Sequence, residues 1–519
     1  MPKSEQRRAI PFGISDSGFL LISDFRIRIS PGCIPLPPGV RISADMLSHR
    51  LAIHWFRRDL RLTDNTALHH AVVSSGQVLP VYVISDWKGA HRWTGPARQE
   101  FLCGCLESLA HNIAAAGGQL VFRRGDAAEE IEKLIRETKA DAVFTNRDPD
   151  PHGIAMEAAV ERRCKAMGVA FETHKDTVLH ERAEVMTGGG TPYRVFTPYN
   201  KSWQAMPKAR VLPAVKSLRM PTGIASLPCP TLETWQLTAC TADIPPPGER
   251  AARDRMRQAL TAIVPHYSER RNIPHGQTTS RLSVDLRHGT VSIRELYHRT
   301  AALLSECPEA AAKKSCQTFL NELAWREFYM QILWHFPEVL ENEFDPQYRG
   351  LPWGYDDGKL QRWKDGLTGF PIVDAGMREL SATGFMHNRV RMITAMFLTK
   401  DLRLDWRLGE EYFMQMLVDG EIASNNGGWQ WSAGTGADAA PYFRIQNPWS
   451  QTKSYDPDGH YIRRWVPELK DAPLESLLHP PPGGLFGASG DYPPPMVDHH
   501  AERDRTLAMF KAHRALVNA

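Results

Sequence analysis

The 519-residue sequence has no Cys-x-x-Cys pair and no late cysteine cluster; its eight cysteines stand at 33, 103, 105, 164, 229, 240, 307 and 316. That spacing argues against a zinc ribbon or an iron–sulfur centre and leaves reduced thiols in a cytoplasmic protein as the expectation. No apolar run reaches the roughly 18 residues a membrane helix needs, so no membrane partner is expected. Neither a G-x-G-x-x-G nor a Walker-type loop is present, which removes two familiar phosphate-cradling signatures. No repeat of fixed period occurs, which argues against a solenoid or a propeller. Charge of one sign is also scarce: with a net charge of +3 and a pI near 8.4, any nucleic-acid contact has to come from a local patch.

What is present describes a soluble chain with large cores, 42% apolar and 23% charged, and long enough for more than one domain. From Leu51, short apolar runs (LAIHWF, QVLPVYVIS, QLVFR, DAVFTN, VAFETH) alternate with amphipathic stretches. That order predicts a Rossmann-like parallel sheet with right-handed crossovers. Thr63 and Asp64 are natural caps for its first helix. Residues 175–250 are broken by GGGTP, LPCP and IPPPG and read as a connector. Beyond it, helical periodicity runs through 249–264, 292–304, 311–336, 371–382, 386–401, 407–418, 421–432 and 502–516. The expected organisation is an α/β domain at 49–178, a linker at 179–248 and a larger all-α domain at 249–519. Residues 1–48 fit neither a secretory signal nor a transit peptide and are expected to be untranslated or disordered, with Met46 as the start.

Several segments carry chemistry. The run Asp419–Gly436, DGEIASNNGGWQWSAGTG, mixes acids, amides, glycines and indoles in a way that suits a core poorly. Glycine costs a helix about 1 kcal/mol relative to alanine, and buried indoles want a partner for the ring nitrogen. Such a run fits the wall of a site for a large flat ligand. In the predicted 311–336 helix, Phe319, Glu322, Trp325 and Arg326 share a face. Glu322 and Arg326 could be an ion pair over a core stripe, or the acid could belong to a site wall. Asn388, Arg391 and Met392 share a face of the predicted 386–401 helix, which could equally be a solvated basic surface. Thr279, Ser280, Arg281 and Ser283 make a candidate phosphate cradle, though capped turns have the same composition.

The motifs HWFRRDLRLTDNTAL, TSRLS, NELAWREFY, GFPIVDAGMREL, MHNRVRM, DGEIASNNGGWQW and APYFRIQNP occur in one order between about 51 and 515. On these the chain resembles the DNA photolyase and cryptochrome family, most closely the bacterial class I cyclobutane pyrimidine dimer photolyases. The resemblance implies FAD in the helical domain, held by Tyr267, Thr279, Ser280, Arg281, Leu282, Ser283, Phe319, Glu322, Arg326, Asn388, Arg391, Asp419, Gly420, Glu421 and Asn425. Asn425 would face the flavin ring as a neutral amide, which favours repair over signalling.

It further implies that a dimer flips out of duplex DNA into a cavity, where reduced FAD gives it an electron. Trp325 and Trp431 would clamp the rings, a protonated Glu322 would donate to a thymine carbonyl, and Asn388 and Met392 would complete the contact. Repair enzymes for the (6-4) photoproduct are similar but look to have histidine at both last positions; His387 should point about 100° away from Asn388. Arg271, Arg389 and Arg444 would meet DNA phosphates. Trp429, Trp406 and Trp353 match the family's light-driven reduction chain. The residues 144–157, FTNRDPDPHGIAME, suggest a second, antenna chromophore of deazaflavin, folate or flavin type, closest to deazaflavin pockets. The expected protein is a monomeric, metal-free lyase acting on DNA. The alternative is a cryptochrome-type photoreceptor.

Overall fold

The computed structural model describes residues 48–276, 278–438, 444–480 and 492–517. The expectation for residues 1–48 therefore lies outside the described residues except at Ser48, as does part of APYFRIQNP.

Five strands, β1 His49–Phe56, β2 Ser75–Ile84, β3 Val121–Arg124, β4 Ala142–Asn146 and β5 Ala170–His174, form one sheet in the order β3-β2-β1-β4-β5. Every pairing is parallel, with Ala52 opposite both Val78 and Ala142. The last six residues of β1 are buried without alternation, as a parallel sheet covered on both faces requires. The strand order reverses between β1 and β4, and a crevice opens at the carboxyl ends of strands at such a point.

The first helix, Thr66–Ser74, is capped by Asn65, whose side chain accepts from Leu68 N, and not by Thr63 or Asp64. Asp64 is instead a buried anchor with φ +51°. Its carboxylate accepts from Leu212 N at 2.7 Å and from Arg294 at 3.0 Å. Asp176 joins the cluster, 2.7 Å from Arg61 and 2.8 Å from Arg294. Burial alone would raise the pKa of Asp176, but Arg61 and Arg294 carry it down to about 2. Ionised Asp176 therefore contributes stability above the ordinary carboxylate range, lost as pH falls through about 2. Arg294→Leu should cost about 3–5 kcal/mol, since it strips buried carboxylates of a partner. A urea midpoint lowered at unchanged slope is the expected result.

The 175–250 stretch is irregular but tied down. Val215 N donates to Leu62 O at 3.1 Å, Leu218 N to Ala116 O at 2.7 Å and Leu227 N to Phe122 O at 3.0 Å. It also contains an unforeseen helix, Phe196–Ala205, whose Trp203 is fully buried and donates to Glu327 at 2.6 Å. Its pattern was too short and too interrupted to stand out in the sequence.

The remaining chain is helical. The helices Ile293–Glu306, Ala310–His335, Pro371–Thr383, Trp406–Met416, Ile422–Ala433 and His499–Val517 follow the expected periodicity closely. The stretches expected at 249–264 and 386–401 each turn into a π-type turn, at Ala259–Ile263 and Phe397–Asp401. No described helix is long and apolar enough to cross a membrane. Among the described residues no cluster could hold a metal ion, and the seven described cysteines are free thiols.

Candidate functional site

The Asp419–Gly436 run folds as the Ile422–Ala433 helix with Glu421 at its cap position. Asn425 donates its side-chain amide to Glu410 O at 3.0 Å, which leaves Oδ1 as the acceptor of that side chain. Asn426 behind it donates to Glu410 Oε1 at 2.9 Å and to Val339 O at 3.0 Å. Burial pushes the Glu410 carboxyl up to about 7, against the hydrogen bond from Asn426. The glycines divide in function. A Cβ on Gly427 would lie 2.1 Å from the Tyr329 ring, so this glycine permits helix contact, while Gly428 faces open space.

Around the helix entrance, Arg391 donates to both oxygens of Asp419 at 3.1 and 3.0 Å, and Ser283 Oγ donates to Asp419 at 2.6 Å. Leu282 is buried, and Arg281, with φ +52° in the left-handed region, lies 3.7 Å from Glu379 with its guanidinium over the Phe385 ring. Thr279 and Ser280 are half-buried on the same turn, and Ser280 Oγ accepts from Leu282 N at 3.4 Å. Phe319 meets Tyr267 edge-on at 5.3 Å. Gly420 gives its carbonyl to Arg287 at 2.9 Å. Glu421 is gripped by Arg58 of the α/β region and lies 3.8 Å from Arg326, and its Oε1 is buried without a partner among the described residues. Hydroxyls, acids and the guanidinium groups of Arg58, Arg287, Arg326 and Arg391 thus surround Asp419, Gly420 and Glu421.

The sequence allowed an ion pair between Glu322 and Arg326; the structure forms neither half of it. Glu322 pairs with Arg271, and Arg326 donates to Thr177 O at 2.8 Å. Burial raises the Glu322 carboxyl above its ordinary range and Arg271 opposes it without cancelling it. Arg271, expected at a phosphate, is therefore held on this acid. Trp325 stacks on Phe196 at 3.6 Å and 8°, so one ring face is covered by the 196–205 helix. Trp431 is half-buried. Asn388 is exposed at the start of the Asn388–Met396 helix, one turn from half-buried Met392. Arg389 reaches Asn272 at 2.8 Å and lies over the Tyr455 ring, and Arg444 is exposed. His387 caps this helix, accepting from Arg389 N at 3.2 Å, and burial pushes its pKa down to about 4. It is a neutral structural cap.

Trp429 is 2% exposed and Trp406 fully buried, while Trp353 is half-buried. The Trp429 six-membered ring lies on Gly409, one turn beyond Trp406, where a Cβ would come within 2.1 Å. Gly409→Ala should destabilise by about 1–3 kcal/mol through overpacking, read as a lowered thermal midpoint with altered tryptophan emission. Trp353 and Trp406 both donate their indole N–H to Glu343 Oε1, at 3.1 and 3.2 Å.

A cavity of about 140 Å³ opens at the carboxyl ends of β1, β2 and β4, where the strand order reverses. Asp148, Asp150, His152, Gly153 and Met156 line it, from the stretch the sequence singled out. Trp87 stacks on His152 at 4.6 Å, and Lys88 donates to Tyr82 Oη at 2.7 Å. Asp150 holds Arg58 at 2.7 Å with one oxygen, while Oδ1 is buried without a partner among the described residues. Burial pushes Asp150 up to about 7 and Lys88 down to about 7. Sequence reasoning missed Arg58, Lys88, Arg98 and Arg287 in this wall, which lie far apart along the chain. The one available signal was the cation pair that directly follows the apolar run of β1.

The family models described as "FAD binding domain of DNA photolyase" and "DNA photolyase" match residues 319–512 and 52–218. A "Deoxyribodipyrimidine photo-lyase" of Halobacterium salinarum is 37% identical over 482 residues, 89% of this chain and 99% of that protein. Among solved structures, a bacterial class III photolyase from Agrobacterium tumefaciens shares 38% identity at TM-score 0.83, covering 91% of this chain and 99% of its own. An archaeal photolyase from Sulfolobus tokodaii, described with two FAD molecules, gives 0.77 at 29% identity, over 89% of this chain and 100% of its own. A Synechocystis cryptochrome gives 0.82 at 28%, over 89% and 99%. The chain belongs to the DNA photolyase/cryptochrome family, and FAD is its cofactor.

Proposed function

We propose that this protein is a deoxyribodipyrimidine photo-lyase that repairs cyclobutane pyrimidine dimers in DNA under light. The observation that carries this reading is Asn425, whose amide is oriented by Glu410 O to present a neutral acceptor. The residues present fit FAD. Ser283, Arg281, Thr279 and Ser280 supply hydroxyls and charge for a pyrophosphate, and Asp419 and Arg391 are already bonded to one another beside them. When bound, FAD supplies the single electron that opens the dimer.

The chain's own groups do the rest. Glu322, whose pKa burial raises against the opposing Arg271, donates in its protonated form to the carbonyl on which charge develops. Trp325, backed by Phe196, and Trp431 hold the flipped rings. Asn388 and Met392 line the contact and Arg389 and Arg444 meet the backbone, with Arg271 free to do so once Glu322 turns to the lesion. Trp429, Trp406 and Trp353 form the reduction chain, and the cavity at the strand ends takes a second chromophore. We assign residues 49–178 to that chromophore, 179–248 to the linker and 249–519 to FAD and DNA, in a monomer of the cytoplasm.

The cryptochrome likeness supports the same fold with a signalling role, against which Asn425 stands. In the dark, the reduced protein should bind dimer-containing duplex more tightly than undamaged duplex. Binding should weaken as salt rises, because phosphate contacts release counterions. Blue light should release the damaged strand's protein. Equal binding to both duplexes, or no release in light, contradicts repair.

A further inference from the structure

Glu343 is an acid that the repair chemistry does not use, and its surroundings are unusual. It is 3% exposed and accepts both outer indole N–H groups on one oxygen, from Trp353 at 3.1 Å and Trp406 at 3.2 Å. The neighbouring residue's N–H, on Phe344, donates to Gln430 Oε1 at 2.7 Å, which fastens this segment beside Trp429. Arg407 lies 3.4 Å from Glu343 and its guanidinium sits 4.6 Å from the centre of the Trp406 ring. The two indoles therefore differ electrostatically although they share a carboxylate. A cation over Trp406 makes a positive hole there costly, whereas Trp353 meets the Phe510 ring edge-on at 6.0 Å and, among the described residues, no cation lies over it.

From this geometry we infer that Glu343 is the proton acceptor that makes the outer tryptophan relay run one way, toward Trp353. The inference rests on the relay reading above. With FAD bound and oxidised, Trp429 would supply the electron that reduces it, Trp406 would refill Trp429, and Trp353 would refill Trp406. The Nε1–H bond of oxidised Trp353 then breaks and its proton forms an O–H bond on Glu343 Oε1. A neutral indolyl radical and a neutral carboxylic acid remain, and the hole cannot return without the proton. Arg407 is not stranded when Glu343 becomes neutral, because Asp405 holds it at 3.1 Å.

Flash spectroscopy of the FAD-loaded protein with oxidised flavin tests this. The wild-type protein should end as the neutral indolyl radical, formed more slowly in heavy water. Infrared difference spectra should show a new carboxylic C=O band that shifts in heavy water. In Glu343→Gln, which keeps an acceptor oxygen but is a far weaker base, the yield of long-lived neutral radical should fall at least tenfold as charge recombines. Glu343→Asp should restore part of it. An unchanged radical yield and rate in Glu343→Gln overturns the proposal. Should that variant fail to hold FAD, the infrared spectrum of the wild-type protein decides, and absence of the carboxylic band overturns it. Wild-type photoreduction in Trp429→Phe overturns the relay reading itself, and this inference with it.

Discussion

Glu322→Ala should keep its FAD and lose tenfold or more of its dimer-splitting yield per absorbed photon. The carboxyl lies outside the cluster built on Asp419, Ser283 and Arg391, so its removal leaves that cradle intact. Its proposed work is a hydrogen bond to an oxygen that becomes charged, and donors of that kind are worth about 10²–10³ in rate when removed elsewhere. Burial raises its pKa, so the donor form persists above the ordinary carboxylate range and is lost as pH rises through the raised value. Repair should therefore decline on the alkaline side in the wild-type protein, and that decline should vanish in Glu322→Gln, whose amide donates at every pH. The check is flavin content by absorption beside repair yield across pH. Loss of FAD from Glu322→Ala would move the residue from lesion to cofactor.

Asn425→Asp should shift the flavin's chemistry while the fold stays in place. A carboxylate cannot donate to Glu410 O, so the 3.0 Å bond that orients the side chain becomes a contact between two acceptors. The new negative charge would also face a fully reduced, electron-rich ring. Losing the bond and leaving a buried acceptor unmatched costs about 1–3 kcal/mol. Full reduction should become harder by a comparable amount, read as a lower midpoint potential in a spectro-electrochemical titration. An unchanged potential would mean that Asn425 does not face the ring.

These two residues also show what was readable in the sequence. The spacing of Asn425 and Trp429 placed them one turn apart on a helix, as found in Ile422–Ala433, because residues four apart share a helix face. Partners are another matter. Glu322 and Arg326 had the spacing of an ion pair, yet each found a residue distant in sequence, Arg271 and Glu421. Asp64 had the identity of a cap but is consumed by Arg294 and Leu212, leaving the cap to Asn65. Gly427 lies in a run that reads as the wall of a ligand site, but the group that closes on it is Tyr329. Local pattern fixes which residues share a face; which long-range neighbour takes each polar group depends on packing that the pattern does not encode. The strand-end cavity shows the same limit. Its 148–156 wall was visible as one stretch, while Arg58, Lys88, Arg98 and Arg287 converge only after folding.

The central claim is that light, through this chain, splits cyclobutane dimers. The reduced protein, mixed with an oligonucleotide carrying one thymine dimer and illuminated with near-UV or blue light, should return intact thymines repeatedly per molecule, and none in the dark. Photoreduction of the flavin without recovery of thymines would contradict the account and leave the photoreceptor reading in its place.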